Sequence, residues 1–146
     1  VEVSIGYLEA IKFFKELVAK NPSNINAGII LGHLLIKAKQ YDQASKLLDD
    51  YKDSTFPDKY LLLAELKSAQ GDSQNAIAAY QDGINKNPDN IALALALATH
   101  YQQQGNYNLA ATQYESLLAK NPNLESVTNK LALLFIEHLP EKIGQA

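Results

Sequence analysis

The stretch Gly105-Asn106-Tyr107-Asn108-Leu109-Ala110-Ala111-Thr112-Gln113-Tyr114-Glu115-Ser116-Leu117-Leu118-Ala119-Lys120-Asn121-Pro122 decides the architecture, because its pattern recurs along the chain. The pattern is Gly-x-Tyr-x-x-Ala, a second aromatic one helical turn past the alanine, and a closing Asn-Pro. An earlier copy holds Gly71, Ala76, Tyr80 and Pro88, with Ser73 in the first aromatic slot. Another holds Tyr7, Ala10, Phe14 and Pro22, with Gly6 displaced by one. A third holds Tyr41, Ala44 and Leu48, and its Pro57 comes one residue late. The anchoring alanines fall at 10, 44, 76 and 110, so the steps are 34, 32 and 34 residues. A fixed period of this size marks a stack of supersecondary units, none of which can bury its apolar face alone.

Each marker has a physical task. Gly71 and Gly105 are expected to end a helix in the left-handed conformation, where a side chain clashes. Asp72 and Asn106 are expected to cap the following helix. The alanines are expected where two helices cross closely. Phe14, Tyr80 and Tyr114 fill the gap one turn on, and Pro88 and Pro122 stop the second helix of the unit. Helices are read over Gly6 to Lys20, Asn24 to Lys39, Tyr41 to Tyr51, Pro57 to Gln70, Ser73 to Lys86, Asn90 to Gln104, Tyr107 to Lys120 and Leu124 to His138. Pro140 should end the last of them. The stretch Lys52 to Pro57 carries the two-residue deficit and predicts a local offset in the stack.

These residues resemble the tetratricopeptide repeat, a helix–turn–helix unit. Leu97, Ala98 and Tyr101 match the family's first-helix markers, as do Tyr60, Leu63 and Ala64, and Leu31, Gly32 and Leu35; Lys67 occupies an aromatic slot. The resemblance implies an all-α, right-handed superhelical solenoid of antiparallel helix pairs, with about eight helices. It implies a single array over 1–146: a partial repeat 1–22, repeats at about 23–56, 57–88 and 89–122, and a partial repeat 123–146. Val1 would fall inside a first helix and Ala146 would match a fifth anchoring alanine, which reads as a fragment with further repeats on either side. The Lys-only, Asn-rich composition looks bacterial. The C-terminal segment is similar to bacterial tetratricopeptide proteins of exopolysaccharide export and envelope assembly.

Composition narrows function by exclusion. The chain has 146 residues, 47% of them hydrophobic, and a net charge of −3. All 13 basic residues are lysine, which removes the usual bidentate reader of phosphate and carboxylate. An acidic balance without a basic face argues against nucleic acid. There is no cysteine, so no disulfide, thiolate nucleophile or thiolate metal ligand. No run reaches the roughly 18 apolar residues of a membrane helix, and no signal peptide is visible, which leaves a cytoplasmic or a periplasmic segment open. His33, His100 and His138 sit at non-equivalent positions of three repeats, without a metal-ligand spacing. Glu65 has no second carboxylate on its helix face, and no Ser, Thr or Tyr has a matched base. No cofactor, metal or catalytic residue is expected.

In the family, the first helix of each repeat lines a concave groove. The positions that the resemblance carries over are Asn26, Ile29, Ile30, His33, Ile36 and Lys37 in the second repeat. The third repeat offers Asp58, Leu61, Leu62, Glu65, Ser68 and Ala69. The fourth offers Ala92, Leu95, Ala96, Thr99, Gln102 and Gln103, and the fifth Ser126, Asn129, Lys130, Leu133, Ile136 and Glu137. The carboxylate clamp that some members use for acidic chaperone tails is absent: its five positions hold Ile29, His33, Leu62, Ala92 and Ala96. The floor is instead apolar, through Ile29, Ile30, Leu61, Leu62, Leu95 and Ala96, with His33, Glu65 and Gln102 as polar edges. Such a patch marks an interaction site. The implied function is a non-catalytic scaffold that holds a helix or extended segment of a protein partner. The alternative is a spacer or self-associating solenoid, whose groove takes another copy or its own flanking repeats. A charge placed at Leu62 is expected to spare the fold and block capture.

Overall fold

The computed structural model describes residues 4–145. The readings made for Val1 and Ala146 lie outside them. The described residues form α1 (Ile5–Lys20), α2 (Ile25–Lys37), α3 (Tyr41–Asp49), α4 (Pro57–Ala69), α5 (Ser73–Lys86), α6 (Ile91–Gln103), α7 (Tyr107–Lys120) and α8 (Glu125–His138). Every helix bound lies within two residues of the span read from the repeat. As read from the sequence, α8 ends just before Pro140, and that proline opens a separate 3₁₀ helix, Pro140–Gln145. The fold is an all-α helical repeat.

The helix starts are set by side-chain oxygens that accept otherwise unpaired backbone N–H groups. Ser4, Asn24 and Asn90 cap α1, α2 and α6 by accepting from Tyr7, Ala27 and Leu93. Asp72 accepts from the Asn75 backbone at 3.2 Å and from its amide at 2.6 Å, which holds the Asp72 carboxyl below its ordinary pKa. Asn106 departs from the expectation, since its side chain makes no cap bond. Its backbone N–H instead closes the end of α6 by donating to Tyr101 at 2.8 Å.

Three helix ends share one geometry. Lys39, Gly71 and Gly105 have φ of 60°, 78° and 77°. The next residue in each case donates to a carbonyl five positions back: Gln40 to Leu35, Asp72 to Lys67 and Asn106 to Tyr101, each at 2.8 Å. This is the paired closure that favours glycine at the left-handed position. The irregular segment after α3 is a tight turn, in which Ser54 N–H donates to the Tyr51 carbonyl at 2.9 Å. Pro57 then opens α4 as its first residue, where its missing N–H costs nothing. Lys59 is buried there, its ammonium donating to the Lys52 carbonyl at 3.3 Å and lying 4.3 Å from the centre of the Tyr60 ring.

The chain forms two compact units, one up to Gly83 and one from Ile84. In the first, α2 packs on α1, α3 and α4. Ile11, Ile29, Leu31, Leu35, Leu47, Leu48, Leu62 and Leu66 form its main core, and Ala64, Ala76 and Ala79 make a second, small-residue cluster with Leu63 and Tyr80. Two glycines of α2 act as notches: Gly28 receives the ring of Tyr51, and Gly32 receives Leu62. In the second unit α7 packs on both α6 and α8. Leu93, Leu97, Ala98, Ala110, Ala111, Tyr114, Leu117, Val127 and Leu134 are its buried centre. The anchoring residues Ala44, Ala76 and Ala110 are each 0% exposed, as a close helix crossing requires.

Candidate partner-binding faces

Each unit presents its own face and is described separately. In the first unit, the positions expected to line a groove divide by burial. Asn26, Ile30, Lys37 and Asp58 are exposed, and His33, Leu61 and Glu65 are half-buried. Ile29, Ile36 and Leu62 are buried, at 6%, 5% and 0% exposure. Leu62 therefore belongs to the core rather than to a floor open to a partner. The reason is local: Gly32 has no side chain, and the Leu62 δ-carbons occupy the space it leaves.

The polar centre of this face is the pair His33 and Glu65, which joins α2 to α4 through Nδ1 and Oε2. The hydrogen bond to Glu65 raises the His33 pKa above its ordinary value; burial opposes this, and the charges of Glu65 and Asp58 add to it while Lys37 subtracts. Burial raises the hydroxyl pKa of Tyr80 on α5, and the Glu65 charge adds to the rise. Lys37, Asp58 and Glu65 are thus within electrostatic reach of His33, and Asp58, two turns before Glu65 on α4, is the second carboxylate that Glu65 was expected to lack. What they form is a hydrogen-bonded His33–Glu65 pair with two further charges nearby. It has neither a nucleophile paired with a base nor a metal-ligand geometry, and no group of three or more His, Asp or Glu among the described residues is arranged to hold a metal ion.

In the second unit, Ala92 and Gln103 of α6 are exposed, and Leu95, Ala96, Thr99 and Gln102 are half-buried. Asn129, Lys130 and Leu133 of α8 are exposed. Here a cavity of about 410 Å³ forms, lined by Thr99, Gln102, Gln103, Tyr107, Tyr114, Lys130 and His138. Four of these seven are positions that the repeat pattern singled out. Tyr107 and His138 stack with ring centres 3.8 Å apart and planes 6° apart. The Tyr114 hydroxyl donates to Gln102 Oε1 at 3.0 Å, and the Thr99 hydroxyl donates to the Leu95 carbonyl at 2.9 Å.

Tyr107, Tyr114 and His138 were not among the expected site residues, because the first two serve the repeat as packing aromatics and the third has no counterpart in it. Helical spacing holds a partial signal. Gln103 and Tyr107 flank the turn, and Lys130, Leu134 and His138 follow at steps of four along α8, with Leu134 buried between them. Another cleft in this unit, of about 470 Å³, lies among Pro88, Asn90, Gln113, Ser116 and Lys120. There Lys120 donates to the Pro88 carbonyl at 3.3 Å. None of the expected residues lines it.

Exposed apolar side chains complete the picture. On α8, Leu133 and Ile136 are 55% and 62% exposed. On α1, Ile5, Leu8 and Phe13 are similarly open. No helix among the described residues is long and apolar enough to cross a membrane.

Comparison with known proteins agrees with this architecture. The family model of the tetratricopeptide repeat matches residues 7–66 and 68–134. No curated protein matches the chain in sequence. Among solved structures, a crystal structure of MamA superposes with a TM-score of 0.69 at 20% identity, covering 99% of this chain and 91% of that one. The thermophilic TPR protein TTC0263 of Thermus thermophilus gives 0.69 at 20% identity, over 89% and 73% of the two chains. MamA 41-end from Desulfovibrio magneticus RS-1 gives 0.64 at 20% identity, over 82% and 68%. At such identities the likeness is one of fold. Repeats of this kind serve generally as non-catalytic scaffolds for protein–protein contacts. With the repeat model covering most of its length, the chain belongs to the tetratricopeptide repeat family.

Proposed function

We propose that this chain is a non-catalytic binding module that holds a helical or extended segment of a protein partner, and that the α6–α8 face of the second unit carries the primary contact. The observation that supports this most is the cavity in which Thr99, Gln102, Gln103 and Lys130 converge with Tyr107, Tyr114 and His138. A concave site with aromatic walls and a few convergent polar groups is the usual form of a recognition pocket. The exposed Leu133, one turn from Lys130 on α8, offers apolar area beside it.

A selection of phage-displayed random peptides against the whole chain tests this reading, followed by amide chemical-shift mapping of the enriched peptides. Shifts concentrated at Thr99, Gln102, Gln103, Tyr107 and Lys130 support it. Enriched peptides that map elsewhere, or an absence of enrichment, count against it.

A second reading has its own observation. Leu133 and Ile136 on α8 are open enough to seat against another copy of the chain. Light scattering over a concentration series decides: growth to a dimer that Leu133→Glu abolishes favours self-association, and a constant monomer mass sets it aside.

A further inference from the structure

We infer that the cavity on the α6–α8 face takes an acidic side chain, Asp or Glu, from within an extended segment of the partner. This rests on the segment-binding reading and adds the chemistry of the anchor. Hydrogen bonding fixes the polarity of the wall. Gln102 Oε1 accepts the Tyr114 hydroxyl, so the amide –NH₂ of Gln102 is the end left to donate. Tyr114 is 1% exposed, so its hydroxyl is held at this point of the wall. Lys130 on α8 also lines the cavity and adds an ammonium with three donors. His138 stands in stacking contact with Tyr107, its Nε2 lying 3.8 Å from the carboxylate of Glu137. No acid is among the residues that line the cavity, and the one lining residue that carries a full charge by nature is Lys130. A wall with an oriented amide donor and an ammonium complements a carboxylate and opposes a basic side chain.

The positions differ from those of the carboxylate clamp, since Ile29, His33, Leu62, Ala92 and Ala96 are all outside this cavity. An internal side chain suits it better than a chain terminus. The two donors that carry the inference, Gln102 and Lys130, are side chains, whereas capture of a terminal carboxylate usually relies on a nest of backbone N–H groups.

The test uses the whole chain and synthetic nonapeptides blocked at both ends. The central residue is varied and the flanks are randomised. A parallel set ends in a free carboxylate. The expected result is a roughly tenfold preference for Glu or Asp over Gln or Asn at the centre. Lys130→Gln should bring the two to parity, and Lys130→Glu should shift the preference to Lys. Lys130 is exposed, so neither variant threatens the fold, and unchanged thermal melts will verify that. Three outcomes overturn the inference. Peptides that map to the cavity with no acidic preference sink it and leave segment binding standing. A preference confined to the free-carboxylate set replaces the internal side chain with a terminus. No binding at the cavity by any member sinks the inference and the segment-binding reading together.

Discussion

Leu62 on α4 occupies the notch that Gly32 leaves on α2: a Cβ built at Gly32 would run into both Leu62 δ-carbons, and Leu62 has no exposed surface. The contact joins the first helices of two successive repeats and helps to close the core of the first unit. Leu62→Ala should therefore cost about 2–5 kcal/mol, the range for truncating a buried leucine. Leu62→Glu should go further and unfold the first unit, because its carboxylate would be buried without a partner. Urea unfolding with an unchanged m-value measures the first, and circular dichroism the second. A Glu variant that folds normally would return Leu62 to the surface and refute the notch.

Lys39 holds a conformation that its equivalents reserve for glycine. Its φ is 60°, and it closes α2 as Gly71 and Gly105 close α4 and α6. A β-carbon in the left-handed region costs roughly 1 kcal/mol. Lys39 is exposed, so glycine at this position gives up little packing. Lys39→Gly should therefore stabilise the chain by roughly 0.5–1 kcal/mol, the larger unfolded-state entropy of glycine offsetting part of the gain. Gly71→Lys should cost a similar amount. A higher urea midpoint for the first variant and a lower one for the second are the expected readings.

Those two positions also show what the sequence made legible. Gly71 and Gly105 stand five residues before an anchoring alanine, and so does Lys39, which the span read over Asn24 to Lys39 counts as helical. The markers of the repeat report local demands: a left-handed turn, a close crossing, a proline start. The site depends on which surfaces meet. Counting positions along a first helix placed Leu62 on an open face, whereas the glycine opposite it draws it inward. Counting placed Thr99, Gln102, Gln103 and Lys130 on one face, and these four do meet. Spacing puts His138 on the Lys130 side of α8, but only the packing of α7 against α8 brings it into stacking distance of Tyr107.

Two histidines should bend the stability profile in opposite directions. The His33 pKa is raised, chiefly by its bond to Glu65. Protonated His33 therefore favours the folded state; the contribution is complete below the unfolded value of about 6.5 and is lost as pH rises through the higher folded value. His100 is 3% exposed and burial lowers its pKa. Its effect has the other sign: the unfolded chain takes up the proton first, so stability falls as pH drops below about 6.5. The His33 contribution is modest, because both partners of the pair are in contact with solvent that screens it. Urea midpoints followed from about pH 5.5 to pH 8 should show His33→Gln losing its deficit relative to wild type at the alkaline end. A deficit of His33→Gln that grows with pH would contradict the assigned sign.

Ala110 tests the crossing on which the repeat is built. It is 0% exposed on α7, which packs against α6 and α8, and its neighbour Ala111 is 1% exposed. Leucine and alanine differ little in helix propensity, so a change at this position reports packing. Ala110→Leu adds three carbons to a filled crossing and should cost about 1–3 kcal/mol, from off-rotamer side chains and a shifted helix. Leu109, the residue before it, is 50% exposed on the same helix. Leu109→Ala should stay within about 0.5 kcal/mol of wild type, as a surface change does. Thermal melts of the two variants separate the readings. A loss at 110 with none at 109 identifies the crossing, and equal small effects would mean that α7 has room there. The same overpacked variant should also weaken peptide binding at the α6–α8 cavity, because Tyr114, whose hydroxyl orients Gln102, lies one turn further along α7.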